Sequence, residues 1–266
     1  ISDPLQKEKM MSGMEMLYDH FQLAPELGSL LNPANLKTDY MIASFQELQP
    51  VLVKALKNET DKDQVERGVI AAGIAKAGDL LNLKYTMVIT NVPYLGANRM
   101  SKVLNQYCEN KYPSSKSDLA TVFIERSYRL ASIKGCIVTV SPQGWINLDY
   151  FKHFRKELFK SKSLNFLIGL GSGAFVTISG EVVKALLSSI QNNGQALSYM
   201  AIDTNHEYSI ELKINNIKNG LLSILEFQKQ SKNPDCRIMF GEVSNFPLLS
   251  EYADSHQGAH TFDINR

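Results

Sequence analysis

Six uncharged residues, Tyr85-Thr86-Met87-Val88-Ile89-Thr90, are stopped at once by Asn91-Val92-Pro93-Tyr94. The run is apolar or β-branched without strict alternation, the pattern of a strand covered on both faces. Pro93 has no N–H and a fixed φ, so a strand ladder must end there. The chain therefore has to turn within two residues of a buried strand, with an asparagine at its carboxyl end.

The flanking pattern alternates in type. Leu5 to Tyr18 and Gln64 to Leu81 space their apolar residues as helices, separated by a loop-rich stretch at Pro25 to Asn35 and a polar interruption at Lys57 to Asp63. After the tetrapeptide, Ser117 caps an expected helix reaching about Ala131, with Leu119, Val122, Phe123 and Leu130 facing inward. Cys136 to Val140 is the next strand, broken by Ser141-Pro142-Gln143-Gly144. Tyr150 to Lys160 is a basic helix, Leu164 to Ile168 a strand, and Phe175 to Leu187 holds a further strand candidate. Strand and helix in alternation predict an α/β fold with a mainly parallel sheet and helices on both faces. Ligands of such sheets bind at the carboxyl ends of the strands, where Asn91 stands. From about Asn215 the pattern weakens, and Gln228 to Asp235 is a linker candidate.

Composition narrows the classes. In 266 residues, 44% apolar and 21% charged, 28 Lys+Arg stand against 27 Asp+Glu, so wholesale disorder is excluded and bulk charge names no nucleic-acid partner. Three cysteines (Cys108, Cys136, Cys236) without ligand spacing argue against a disulfide framework and against a zinc site, so no metal and a reducing cytoplasm are expected. No apolar run is long enough to span a membrane, and no membrane association is expected.

A strand ending in Asn-X-Pro-Tyr suits chemistry on an exocyclic amine. The asparagine side-chain oxygen accepts one hydrogen bond and the next backbone carbonyl a second, while the tyrosine ring offers a stacking face. Two acceptors on one amino group draw its lone pair toward tetrahedral geometry, so positioning and electrostatics replace a strong base. Taken alone, the tetrapeptide is more often a plain strand-ending turn.

Its setting changes the balance. Lys84 to Gly96 (KYTMVITNVPYLG), Lys116 to Leu130, Lys134 to Ile146, Leu167 to Val183 and, more faintly, Tyr252 to Arg266 run in the order of a known family. The chain resembles the gamma-class adenine-specific DNA methyltransferases, especially the large methylases of type IIG restriction systems and BREX phage-defence systems. The resemblance implies a partial Rossmann-like methyltransferase fold that transfers methyl from S-adenosylmethionine to the N6 amine of an adenine flipped out of double-stranded DNA. Asn91, Val92, Pro93 and Tyr94 would form the catalytic tetrapeptide, with Val92 where the family usually has proline. Tyr94 and Phe175 would stack on the two faces of the base, because chemistry on a base requires it to leave the helix. Leu119, Phe123 and Glu26 would border the cofactor. Arg99, Lys102 and Lys111, after the tetrapeptide, are candidates for DNA phosphates.

The family's glycine-rich cofactor turn is not found, and the chain begins Ile1-Ser2-Asp3 without methionine. The N-terminal strands are therefore expected to be missing. Residues 1–215 read as a partial catalytic domain, with a helical lead-in at 1–83 and the motif and sheet at 84–215. Residues 216–266 read as a linker and the start of a target-recognition region. A module of the same kind that binds DNA or other defence-system subunits without catalysis is the alternative, motivated by Val92 and by the missing cofactor turn. Gly169-Leu170-Gly171-Ser172-Gly173 follows an apolar stretch but departs from the dinucleotide fingerprint, with its third glycine misplaced and Glu181 too early. The basic residues Lys152, His153, Arg155, Lys156 and Lys160 read as a solvated face.

Overall fold

The computed structural model describes residues 3–35, 45–57, 60–174, 183–194, 197–207, 209–220, 222–242 and 251–253. The expected strand forms as β1 (Tyr85–Asn91), followed by α5 (Lys102–Lys111), α6 (Leu119–Leu130), β2 (Ala131–Pro142) and α7 (Lys152–Ser161). Then come β3 (Lys162–Gly171), β4 (Ala185–Asn192), β5 (Ser198–Asp203), α8 (Ile210–Asn219), β6 (Ser223–Glu226) and α9 (Phe227–Gln230). Ahead of β1 lie α1 (Pro4–Phe21), α2 (Ala24–Leu27), α3 (Phe45–Lys57) and α4 (Lys62–Asn82).

The six strands form one sheet in the order β1-β2-β4-β3-β5-β6. The α/β class is as expected, but the sheet is mixed. β1 runs parallel to β2 and β3 to β5, whereas β4 is antiparallel to both its neighbours and β6 to β5. The cause is that β4 returns directly from β3 and inserts between β2 and β3. Four strand ends, Asn91, Pro142, Gly171 and Asp203, consequently share one edge of the sheet.

One face carries the main core. Ile137, Leu186, Ile190, Leu164, Leu167, Tyr199, Ala201 and Leu225 are buried. Ala120 and Ile124 of α6 and Phe154 and Leu158 of α7 pack into the same cluster. The opposite face is closed only in part: α8 borders Ile202 at one corner, while Met87, Ile89, Met200 and Ile224 stay exposed. β1 is an edge strand with none of its seven residues fully buried, not the strand covered on both faces that its apolar run predicts, because at the end of the strand order its outer face meets no helix among the described residues.

Three expectations need correcting. The N-cap of α6 is Asp118 rather than Ser117, its carboxylate accepting from Ala120 N–H at 2.8 Å. Arg155 turns away from solvent and is fully buried, donating to the carbonyls of Trp145, Leu148 and Asp235. The body also continues past residue 215. β6 extends the sheet, Phe227 and Ile238 enter the main core, and Ile238 N–H bonds to the Ile146 carbonyl at 2.8 Å. The span Gln228–Asp235 thus lies within the packed unit.

A second core joins the lead-in to the sheet. Leu27, Leu30 and Leu31 pack with Leu104, Cys108 and Tyr112 of the α5 region and with Leu119 and Val122 of α6. Arg126, buried in α6, donates to the carbonyls of Ser29 (2.9 Å), Leu31 (2.7 Å) and Leu81 (3.4 Å). A guanidinium with rigid, forked donors suits three carbonyls that no regular ladder reaches. Arg126→Met should strand those carbonyls and lower unfolding stability by roughly 2–4 kcal/mol in urea titration. A loss below about 0.5 kcal/mol would show that they do not need the arginine.

Candidate active site

The tetrapeptide lies at the carboxyl end of β1, on the edge shared by four strands. Asn91 pairs with Val140 in the β1–β2 register and is exposed, as is Pro93, while Tyr94 is half-buried against the main core. Burial pushes the Tyr94 hydroxyl up to about 12, so its ring is a neutral phenol at any physiological pH.

Val92 is placed differently from a proline. Its side chain is 2% exposed in the main core, and its N–H donates to the Val140 carbonyl at 3.1 Å. A proline there could not make that bond. The ladder thus runs one residue beyond Asn91, and backbone pairing holds the first half of the tetrapeptide.

The chain beyond Tyr94 is fastened to the start of α6. Leu119 N–H bonds to the Leu95 carbonyl at 2.9 Å and Ala97 N–H to the Ser117 carbonyl at 3.1 Å, with Gly96 and Asp118 forming an antiparallel bridge. Asp118, half-buried, also accepts from the Leu95 backbone, and burial nonetheless holds its carboxyl above the ordinary aspartate value. The Ser117-Asp118 pair carries a capping sense in the sequence; that the aspartate also binds the loop after the tetrapeptide depends on a contact across 23 residues, which no local pattern carries.

Of the candidate cofactor residues, Leu119 is buried in the second core and Phe123 is half-buried where both cores meet. Glu26 is exposed and accepts from the Ser101 hydroxyl at 2.6 Å; Ser101 in turn caps α5 through Leu104 N–H. The Ala24–Leu27 block is thereby brought to the loop after the tetrapeptide. Arg99 and Lys102 are exposed in that same loop and at the start of α5. Lys111, at the far end of α5, is carried about 14 Å from Lys102 by nine helical residues and leaves the edge. Phe175 lies outside the described residues.

The glycines at the end of β3 have a packing explanation. A side chain on Gly169 would meet Asn205 Nδ2 at 2.6 Å and Phe240 at 2.8 Å. Gly171 and Gly173 have φ of +64° and +72°. The first glycine admits Asn205, and the others permit left-handed turns.

Among the described residues no group of three or more His, Cys, Asp or Glu is arranged to hold a metal ion, and no helix is long and apolar enough to cross a membrane.

The burial of Tyr94 has a spectroscopic consequence. Because the folded value lies above the ordinary value of 10, this tyrosine favours the folded state below pH 10, and that contribution is lost as pH rises through about 12. Absorbance titration at 295 nm should show that Tyr94→Phe removes a component with its midpoint near 12. Loss of a component near 10 instead would place the ring in solvent.

Comparison with known proteins gives the family. The family description Eco57I restriction-modification methylase matches residues 29–175. An adenine-specific methyltransferase PglX of Lacticaseibacillus casei (strain Zhang) is 34% identical over 129 residues, which is 48% of this chain and 11% of that protein. An adenine-specific methyltransferase BrxX of Escherichia coli O9:H4 (strain HS) is 29% identical over 205 residues, 76% of this chain and 16% of that protein. The chain therefore spans only a small part of the length of these curated relatives. Among solved structures, the type I restriction-modification system methyltransferase subunit from Streptococcus thermophilus aligns with a TM-score of 0.41 and 15% identity, covering 61% of this chain and 44% of that one. With its family description spanning more than half of its residues, the chain belongs to the Eco57I restriction-modification methylase family.

Proposed function

We propose that this chain is the base-binding part of a DNA adenine methyltransferase, serving restriction-modification or phage defence. The observation that carries the reading is the placement of Asn91 and Pro93, exposed, beside half-buried Tyr94 at the carboxyl end of β1. The Asn91 side-chain oxygen and the Val92 carbonyl accept hydrogen bonds from the adenine amine, fixing it and enriching its lone pair. Tyr94 stacks on the base once it has left the duplex, and Phe175, four residues beyond Gly171 in sequence, supplies the opposite face. S-adenosylmethionine, when bound, supplies the methyl group.

The residues present suit one wall of that cofactor's site. Half-buried Phe123 offers apolar surface in α6 with Leu119 buried beside it in the second core, and the Glu26 carboxylate is held to the loop after the tetrapeptide by Ser101. The remaining wall belongs to the expected glycine-rich turn. Met87 and Ile89 leave the edge and face of β1 open to such a segment. Arg99 and Lys102 meet phosphates of the double-stranded DNA, and other subunits of a defence system are the wider partners, in a cytoplasmic setting. Catalytic residues are assigned to 1–215 and the approach to target recognition to 216–266, of which β6, Phe227 and Ile238 pack with the sheet.

Asn91→Ala in the complete gene product should abolish methyl transfer from tritiated S-adenosylmethionine to unmethylated DNA and spare DNA binding, since the lost bonds serve the reacting amine. Turnover equal to wild type would refute the role. Tyr94→Ala should cost roughly 1–3 kcal/mol of binding to a flipped base. A wild-type protein with no transfer activity at all would favour the non-catalytic DNA-binding or scaffold module. The ladder bond of Val92 removes one motive for that alternative.

A further inference from the structure

The end of β3 and the two residues after it hold three glycines, Gly169, Gly171 and Gly173, and glycine gives up the most freedom on ordering. The ladder pairs Gly169 and Gly171 with β4 but shifts register between them, so contacts from outside the strand help to select the course of the chain there. Gly169 O accepts from both Thr204 N–H (2.9 Å) and the Thr204 hydroxyl (2.7 Å), and Thr204 is fully buried. Farther along, the ammonium of Lys213, from α8, donates to the carbonyls of Leu170 and Ser172.

Lys213 is only 5% exposed, and the Glu207 carboxylate acts on its ammonium from beyond ion-pair contact. Burying a lysine so deeply is costly, because its ammonium is desolvated. Here two charge-assisted bonds to carbonyls offset that cost. The bridged residues flank Gly171, the position with φ of +64°. They lie on the same edge of the sheet as Asn91, three strand spacings or about 14 Å away. Nothing in Lys213's role as a helix residue requires this reach, since α8 is already capped by Ser209.

We propose that Lys213 is a positioning residue: its ammonium fixes the course of the chain leaving β3 at the base-binding edge, so that α8 helps to set the geometry of that edge. The role rests on the methyltransferase reading above, but the fixing of the loop does not. Lys213 serves no bond to substrate; it acts through the Leu170 and Ser172 carbonyls.

Two readouts separate these levels. In this chain, amide hydrogen exchange across residues 169–174 should quicken about tenfold in Lys213→Met and return close to wild type in Lys213→Arg. In the complete gene product, Lys213→Met should lower kcat for methyl transfer to unmethylated DNA about tenfold with KM for S-adenosylmethionine and DNA affinity nearly unchanged, and Lys213→Arg should restore most of it. Unchanged exchange in Lys213→Met would overturn the fixing of the loop. Faster exchange with wild-type kcat would overturn the positioning role while leaving the methyltransferase reading intact. Absence of transfer in the wild-type protein would overturn both that reading and this role.

Discussion

Helix α6 is the shared beam on which the rest depends. Its Ala120 and Ile124 are buried in the core of the sheet, while Leu119 and Val122 are buried against the lead-in. Apolar burial on two sides of one helix of twelve residues is the main force holding the parts together. Arg126 then converts that packing into a fixed register by bonding three carbonyls of the lead-in. At the other end, Asp118 and Leu119 fasten the loop that follows the tetrapeptide. The loop and the 24–31 block thus take their positions from the same helix.

How much of this was legible in the sequence follows from the range of each interaction. β1 and its stop were plain because uncharged β-branched residues and a proline act locally. α6 and α7 were plain because apolar spacing at three and four residues is a local signal too. Strand direction was not: β4, buried in its interior, has no alternation to mark its place between β2 and β3, and antiparallel insertion leaves no trace in a run of apolar residues. α3, with Pro50 inside it, and β5 and β6, too short for a firm period, were also missed. Arg155 illustrates a different failure. Basic residues in its helix read as a wet face, yet this one is turned inward by two carbonyls just before the helix and a third, of Asp235, supplied from 80 residues away. The tetrapeptide itself could be found by inspection, whereas Asp118, Ser101 and Lys213 became visible only through partners distant in sequence.

The Asn-Val-Pro-Tyr variant shows two ways of achieving the same stiffness. Proline narrows the backbone covalently, acting in the unfolded chain as much as in the folded one. Valine leaves that freedom in the unfolded state and removes it on folding, through a ladder bond and a buried side chain. The constraint is then a property of the β1–β2 pair and fails if that pair loosens. Local stability of the sheet edge and order at the tetrapeptide become a single quantity.

The same edge sets how the chain behaves in isolation. β1 is uncharged along its whole length and contains no proline, and its Met87 and Ile89 side chains face outward. Lys84, the charged residue just before the strand, is engaged with the Arg129 carbonyl rather than standing guard over the unpaired backbone. Such an edge lacks the gatekeepers by which proteins discourage strand addition between molecules. Among the described residues, the free side of β1 is thus an apolar, uncharged edge open to addition of another strand.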